Sequence, residues 1–180
     1  MTIIGISGQI NSGKTTLAQY ICEKYGYEKA SFAAPLKDAC MQLFGFTKDQ
    51  LHTQKGKETK DEYWGITPRE ALQYIGTDIV RKQMNNLIKD IGPDFWIKRF
   101  EKTYSKKKLI VIDDIRFQNE VEIIRKLGGY VIKIDRGNIL NKHNHESENS
   151  LKDIDFGKYV ILNNGTKEDL FSSFEKLKKK

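Results

Sequence analysis

A chain of 180 residues with 38% hydrophobic and 11% aromatic content carries enough apolar material for one proper core and is not a disordered segment. Its formal net charge of +7 admits nucleic acid or phosphate anions as partners, but the lysines are scattered, with small clusters at Lys106-Lys107-Lys108 and Lys176 to Lys180. Two cysteines, Cys22 and Cys40, make neither a disulfide framework nor a zinc site, and no apolar run approaches the roughly 18 residues of a membrane span.

The first stretch, Thr2-Ile3-Ile4-Gly5-Ile6, is apolar and reads as a buried strand. It carries no basic leader, so the expected setting is cytoplasmic: soluble and intracellular. Next comes Gly8-Gln9-Ile10-Asn11-Ser12-Gly13-Lys14-Thr15, which fits G-x-x-x-x-G-K-[ST] throughout. Thr16 to Cys22 follows, apolar at helical spacing. Strand, glycine loop and helix form the context that makes this pattern a P-loop. Gly8 and Gly13 let the backbone curl so that successive N–H groups, those of Asn11 and Ser12 among them, face one anion. The helix starting near Lys14 adds its positive end. Lys14 is placed to reach the β- and γ-phosphates, Thr16 continues the phosphate-binding turn, and the Thr15 hydroxyl suits Mg²⁺. The plain alternative, a Gly/Ser turn that happens to carry a lysine, does not explain the flanks.

Gly26 caps that helix, Tyr27 to Phe32 reads as a second strand, and Pro35 opens a helix over Leu36 to Phe44. Residues 45–65 are polar and lysine-rich, which predicts an insertion with little core. Thr67, Pro68 and Glu70 form a capping box that starts a helix through Leu72, Ile75, Ile79 and Val80, with Gly76 weakening it. Asp94 to Tyr104 is a short helix. Leu109-Ile110-Val111-Ile112 is a strand covered on both faces, ending in Asp113-Asp114. A helix over Asn119 to Leu127, a strand over Tyr130 to Ile134, a polar stretch over Asp135 to Ser150, a strand over Tyr159 to Leu162 and a helix capped by Thr166 complete the chain. The alternation predicts an α/β three-layer fold: a five-stranded parallel sheet with helices on both faces, plus lid and insertion segments. It is read as one domain over 1–180, with an insertion at about 45–65 and a lid-like loop at about 136–149.

In such a sheet, ligands sit outside the carboxyl ends of the strands. That rule selects the P-loop, the turn Ser31 to Lys37, and Asp113 to Arg116. A strand-end carboxylate facing a P-loop is what Mg²⁺ between phosphates requires, and both Asp113 and Asp114 qualify. Alternation along the strand sends them to opposite faces, so one serves the metal and the other caps a turn. Arg116 can bind a phosphate bidentately and stabilise charge in transit; Glu120, four residues on, shares its face and can pair with it. Arg69, Gln73, Thr77 and Arg81 recur at i, i+4, i+8 and i+12, which gives one polar stripe. A solvated face is the plain reading; a grip on a second anion and a base is the sharper one. Trp64, Trp96 and Phe32 are aromatics able to stack on a base, although each alone is more often core. Arg136 sits at a strand end, where a lid arginine could fold over a triphosphate. His143, His145 and Glu146 lack a further ligand at sensible spacing, so no metal is assigned to them.

Taken together, these residues resemble the deoxynucleoside monophosphate kinases of the phage and large-virus type, P-loop nucleoside monophosphate kinases. The resemblance covers nearly the whole chain. It rests on Gly5 to Thr16, on Ser31-Phe32-Ala33-x-Pro35-Leu36-Lys37, and on Arg69-x-x-Leu72-Gln73-x-x-Gly76-Thr77-Asp78 with Arg81. It continues through Phe95-Trp96, Asp114-Ile115-Arg116-Phe117-Gln118-Asn119-Glu120, His145-x-Ser147-Glu148 and Asn163-x-Gly165-Thr166. It implies that Asp114, Arg116, Glu120 and Trp96 lie in the monophosphate site, lined by Phe32, Pro35, Leu36, Lys37 and the Arg69 helix, with Thr166 near the ATP base. The implied reaction moves the ATP γ-phosphoryl group to a deoxynucleoside monophosphate with Mg²⁺; membrane is not a partner, nucleic acid is disfavoured, and a homodimer stays open. The chain departs from the family pattern at Ile10 and Asn11, where basic residues are usual, and at Thr15, where aspartate is usual. Two alternatives are a kinase of another small phosphorylated acceptor, such as dephospho-coenzyme A or phosphomevalonate, and a nucleic-acid-stimulated P-loop ATPase.

Overall fold

The computed structural model describes residues 2–104, 109–137 and 154–178. In chain order the elements are β1 (Thr2–Gly8), α1 (Lys14–Tyr25), β2 (Glu28–Ala30), α2 (Ala34–Phe44), α3 (Lys48–His52), α4 (Gln54–Glu58) and α5 (Pro68–Gln73). A π-helix over Tyr74–Arg81 follows, then 3₁₀ turns at Met84–Asn86 and Gly92–Asp94, and α6 (Phe95–Tyr104). The chain closes with β3 (Leu109–Ile115), α7 (Gln118–Lys126), β4 (Tyr130–Asp135), β5 (Val160–Leu162) and α8 (Lys167–Lys178). The chain divides into a first unit, residues 1–32 and 100–180, and a second, residues 33–99.

The first unit holds the whole sheet. Its strand order is β2-β3-β1-β4-β5, and every pairing is parallel. β1, β3 and β4 carry buried apolar runs, as a sheet covered on both faces demands, while the edge strand β2 is the short, mostly exposed Glu28-Lys29-Ala30. On one face Ile4, Ile6, Val111, Ile132, Ile134 and Ile161 pack with Leu17, Ala18 and Ile21 of α1 and with Leu170 and Phe174 of α8. Side chains alternate along a strand, so Ile3 and Gly5 face the other way. There α7 closes in: a β-carbon on Gly5 would lie 2.9 Å from Ile124 Cδ1 and 2.9 Å from Val131 Cγ2. Helices therefore cover both faces, as expected.

The strands agree with the sequence reading to within a residue or two, except that β3 does not stop at Ile112. It runs on through both aspartates to Ile115. Gly5 pairs with Ile112 but Ser7 with Ile115, so β3 carries one extra residue, a β-bulge, across Asp113-Asp114.

The second unit is helical. The 45–65 insertion has the small core expected, but it is ordered as helix. It folds into α3 and α4 over buried Phe46 and Leu51. Thr47 and Gln50 form a reciprocal capping box at α3, and Thr53 caps α4 through the Gly56 N–H. The expected Thr67–Glu70 capping box opens α5.

Two outcomes check this packing. A β-carbon on Gly129 would meet the Ile3 carbonyl oxygen at 2.4 Å, backbone that cannot swing aside. Gly129→Ala should lower stability by about 1–3 kcal/mol, read as a lower urea midpoint with unchanged slope. On the α1–α8 seam, Glu175 Oε1 accepts hydrogen bonds from Tyr20 Oη at 2.7 Å, Tyr25 Oη at 2.5 Å and Lys24 Nζ at 2.9 Å. The hydrogen bonds from Tyr25, Tyr20 and Lys24 hold the Glu175 carboxyl down at about 2. A depressed carboxylate stabilises the fold above its unfolded value near pH ~4.3 and loses that contribution as pH falls through its folded value. Glu175→Gln should therefore lower Tm at neutral pH, and the gap to wild type should close between about pH 4 and pH 2.

Candidate functional site

The P-loop lies at the carboxyl end of β1, where the parallel strands deliver their loops. Its shape needs residues that tolerate left-handed backbone: Gly8 has φ 143°, Asn11 has φ 62° and Gly13 has φ 105°. A β-carbon on Gly8 would lie 2.4 Å from the Ile134 carbonyl oxygen, so β4 excludes any larger residue there. The loop carbonyls are taken up by neighbours. Lys14 Nζ donates to the carbonyls of Gly8 at 2.7 Å and Gln9 at 2.6 Å. Arg136 Nη1 donates to the Asn11 carbonyl at 2.9 Å, and buried Asn163 donates from Nδ2 to the Ser12 carbonyl at 2.8 Å. Ser12 Oγ is buried and has no hydrogen-bond partner among the described residues. Helix α1 starts directly behind the loop with no side-chain cap, and half-buried Thr16 lies in its first turn. The result is a concavity of backbone amides at a helix start, with an orphan hydroxyl beside it, suited to phosphate.

Beside the loop, Thr15 Oγ1 donates to Asp113 Oδ2 at 2.8 Å. Of the two strand-end aspartates, Asp113 is therefore the one beside the P-loop. Lys29 Nζ lies 2.7 Å from the same oxygen. A hydroxyl and a carboxylate side by side are the hard oxygen donors that Mg²⁺ prefers, so these residues fit such an ion. Asp114 turns elsewhere: it accepts from Ser31 Oγ at 2.7 Å and from the Phe32 N–H at 3.1 Å, which fixes the turn after β2. Glu120, 2% exposed, accepts from the N–H of Arg116 at 2.8 Å and of Phe117 at 3.2 Å. Its carboxylate closes the start of α7 and so sets the backbone that carries Arg116.

Several expected residues take structural places. Arg136 lies on the P-loop itself. Thr166 shares a reciprocal capping box with Asp169 at the head of α8, and its hydroxyl donates to Asp169 Oδ2 at 2.8 Å. Those backbone and side-chain hydrogen bonds from Thr166 lower the Asp169 carboxyl below its usual range. Phe32 is buried against Phe100, with ring centres 4.8 Å apart. Cys40 is buried, and burial pushes its thiol up to about 11; Cys22 is half-buried and is raised chiefly by burial. Asn163 and Lys29 were not singled out as individual candidates from the sequence. A polar residue in a turn and a lysine on a strand carry no distinctive signal there.

In the second unit, the Arg69 stripe is not a solvated face. Arg69, Thr77 and Arg81 are buried, and Gln73 is half-buried. Arg69 Nη2 donates to Gln54 Oε1 at 3.1 Å and lies 3.5 Å from Glu58 Oε1, while Arg81 Nη1 donates to the Pro93 carbonyl at 3.0 Å. The stripe runs through the π-helix, a rare winding that often marks functional segments. Gly76 has its reason here: a β-carbon would lie 2.6 Å from Leu36 Cδ2, and its carbonyl accepts from buried Trp96 Nε1 at 3.0 Å. Pro35 and Lys37 are the second and fourth residues of α2. Trp64 is 46% exposed and anchored through Nε1 to the Phe44 carbonyl at 2.8 Å. His143, His145 and most of the 136–149 loop lie outside the described residues; among the described residues no three His, Cys, Asp or Glu side chains group as a metal site. No described helix is long and apolar enough to cross a membrane.

Comparison with known proteins bears on this arrangement. The sequence model of the family described as deoxynucleotide monophosphate kinase matches residues 48–174. A protein of Acanthamoeba polyphaga mimivirus with a provisional deoxynucleotide monophosphate kinase assignment is 41% identical, over 96% of this chain and 93% of that one. The deoxynucleotide monophosphate kinase of Enterobacteria phage T4 is 23% identical, over 97% of this chain and 98% of its own length. That of Escherichia phage RB69 is 30% identical over 65% of this chain and 46% of its own. The chain that carries this loop and strand-end aspartate is thus matched over most of its length by such relatives, and it belongs to the deoxynucleotide monophosphate kinase family.

Proposed function

We propose that this kinase transfers the γ-phosphoryl group of ATP to the 5′-phosphate of a deoxynucleoside monophosphate. An acceptor phosphate oxygen attacks the γ-phosphorus, the bond to the β,γ-bridging oxygen breaks, and ADP and a deoxynucleoside diphosphate leave. The acceptor is already an anion, so the reaction needs no strong base; positioning and neutralisation of charge supply the rate. The observation that carries the reading is the Thr15–Asp113 contact beside a P-loop whose Gly8, Gln9, Asn11 and Ser12 carbonyls are turned onto donors.

Each residue has a task in this proposal. Lys14 leaves the Gly8 and Gln9 carbonyls for the β- and γ-phosphates. Backbone amides of the loop, from Asn11 to Thr16, hold the β-phosphate, with Ser12 Oγ beside them. Thr15 and Asp113 would hold Mg²⁺, which when bound withdraws charge from the phosphates. Arg116, on backbone fixed by Glu120, stabilises the phosphoryl group in transit. Asp114 shapes the turn through Ser31 and Phe32. In the second unit, Arg69, Gln73, Thr77 and Arg81 recognise the acceptor; the argument is that buried cations already held by hydrogen-bond partners lose little freedom when an anion binds.

Lys14→Ala should lower phosphoryl transfer by about 10²–10³-fold, the usual cost of one lost charge-stabilising donor, with an unchanged thermal midpoint. Persistence of transfer in that variant would remove Lys14 from the mechanism. A coupled ADP-release assay across deoxy- and ribonucleoside monophosphates with ATP and Mg²⁺ should find at least one deoxynucleotide acceptor. A panel with no phosphorylated monophosphate would overturn the assignment.

A further inference from the structure

Lys29 lies on β2, at the edge of the sheet, where a lysine would ordinarily discourage pairing with another chain. Its ammonium does not simply extend into water. It lies 2.7 Å from Asp113 Oδ2, the oxygen that also accepts the Thr15 hydroxyl at 2.8 Å. Lys29 is level with Val111 in the β2–β3 register, and Val111 packs with the α1 face of the sheet. Asp113 lies two residues further along the strand, so the lysine chain reaches forward along that face to the end of β3. Asp113 is 9% exposed, while the Lys29 side chain is 44% exposed. A mostly buried carboxylate has thus been given an internal counter-ion from a strand that takes no part in the P-loop.

From this we infer that Lys29 is the resident cation of the metal position. It keeps Asp113 paired and turned onto Thr15, and it keeps a bare divalent ion from binding there. The inference rests on the proposed role of Thr15 and Asp113 and adds how that site is regulated. The electrostatics run in one direction. With Lys29 on Asp113, the pair is neutral and a free divalent ion gains little. An ion placed on this carboxylate without additional negative charge would also sit beside an ammonium and be repelled. The phosphates of ATP supply that missing charge. A divalent ion would therefore be held by Thr15 and Asp113 only together with nucleotide phosphates, and Lys29 acts as a positioning residue through Asp113 without touching substrate.

The test is a titration of the nucleotide-free, full-length protein with Mn²⁺, following free Mn²⁺ by its paramagnetic resonance signal. Wild type should bind weakly. Lys29→Met should bind at least about tenfold more tightly, the order expected for removing one adjacent positive charge. Lys29→Met combined with Asp113→Asn should return to weak binding, and Lys29→Arg should match wild type. A merely structural lysine would change the thermal midpoint without moving Mn²⁺ affinity. If Lys29→Met fails to fold, Lys29→Gln carries the same comparison. Equal Mn²⁺ affinity in wild type and the Lys29 variants overturns the inference. A parallel titration with a non-hydrolysable ATP analogue separates the two layers. If Asp113→Asn weakens Mn²⁺ binding there while the Lys29 variants match wild type in the nucleotide-free titration, the counter-ion role fails and the metal assignment stands. If Asp113→Asn changes nothing with the analogue, the metal assignment fails and the inference falls with it.

Discussion

The phosphate-binding loop depends on which way four peptide groups point. A trans peptide is planar, so fixing a carbonyl fixes the next residue's N–H on the opposite side. Around the P-loop, the Gly8, Gln9, Asn11 and Ser12 carbonyls are held by Lys14, Arg136 and Asn163, and the Ser12 N–H closes back on Gln9 at 3.2 Å. The donors come from α1, from the end of β4 and from the end of β5. Only a parallel sheet brings those three ends to one edge. The glycines allow the turn, but the sheet enforces it: β4 backbone excludes a side chain at Gly8, and Asn163 excludes one at Gly13.

The bulge in β3 works at the same edge. Strict alternation would assign Asp113 and Asp114 to opposite faces and leave one of them spare. With an extra residue in the strand, both carboxylates remain at its end and serve different neighbours. Asp113 meets α1 and β2 through Thr15 and Lys29, and Asp114 meets the turn after β2. One strand end thereby fixes both the loop that holds phosphate and the turn that follows the edge strand. Glu120 extends the same economy, since a single carboxylate starts α7 and sets the backbone of Arg116.

The sheet and the P-loop were legible in the sequence because their signals are local and redundant. Four apolar runs of strand length, each followed by glycine or a polar turn, leave little freedom in the fold class. The helices of the 45–65 insertion leave little trace in the sequence because their core is small. Phe46 and Leu51 are its large fully buried apolar side chains, yet Thr47-x-x-Gln50 was a capping signature in plain view. Burial of the arginine stripe was not legible either. Arg69 and Arg81 find their partners in Gln54, Glu58 and Pro93, residues 11 to 15 positions away that no periodicity links to them. Lys29 and Asn163 belong to the same class: their partners are 84 and 151 residues distant, and only the folded sheet brings each pair together.

The π-helix bears on the stripe in a further way. In an α-helix of 3.6 residues per turn, a series spaced by four drifts about 40° at each step, or about 120° from its first member to its fourth. Straight α-winding would carry Arg81 a third of the way round from Arg69. The wider turn over Tyr74–Arg81 takes back part of that drift, and Thr77 and Arg81 are as buried as Arg69. Angular phase along this segment is thus set by winding as much as by spacing. Deleting one residue between Tyr74 and Val80 would turn Arg81 to another side of the helix while leaving the Gln54 and Glu58 contacts of Arg69 in place.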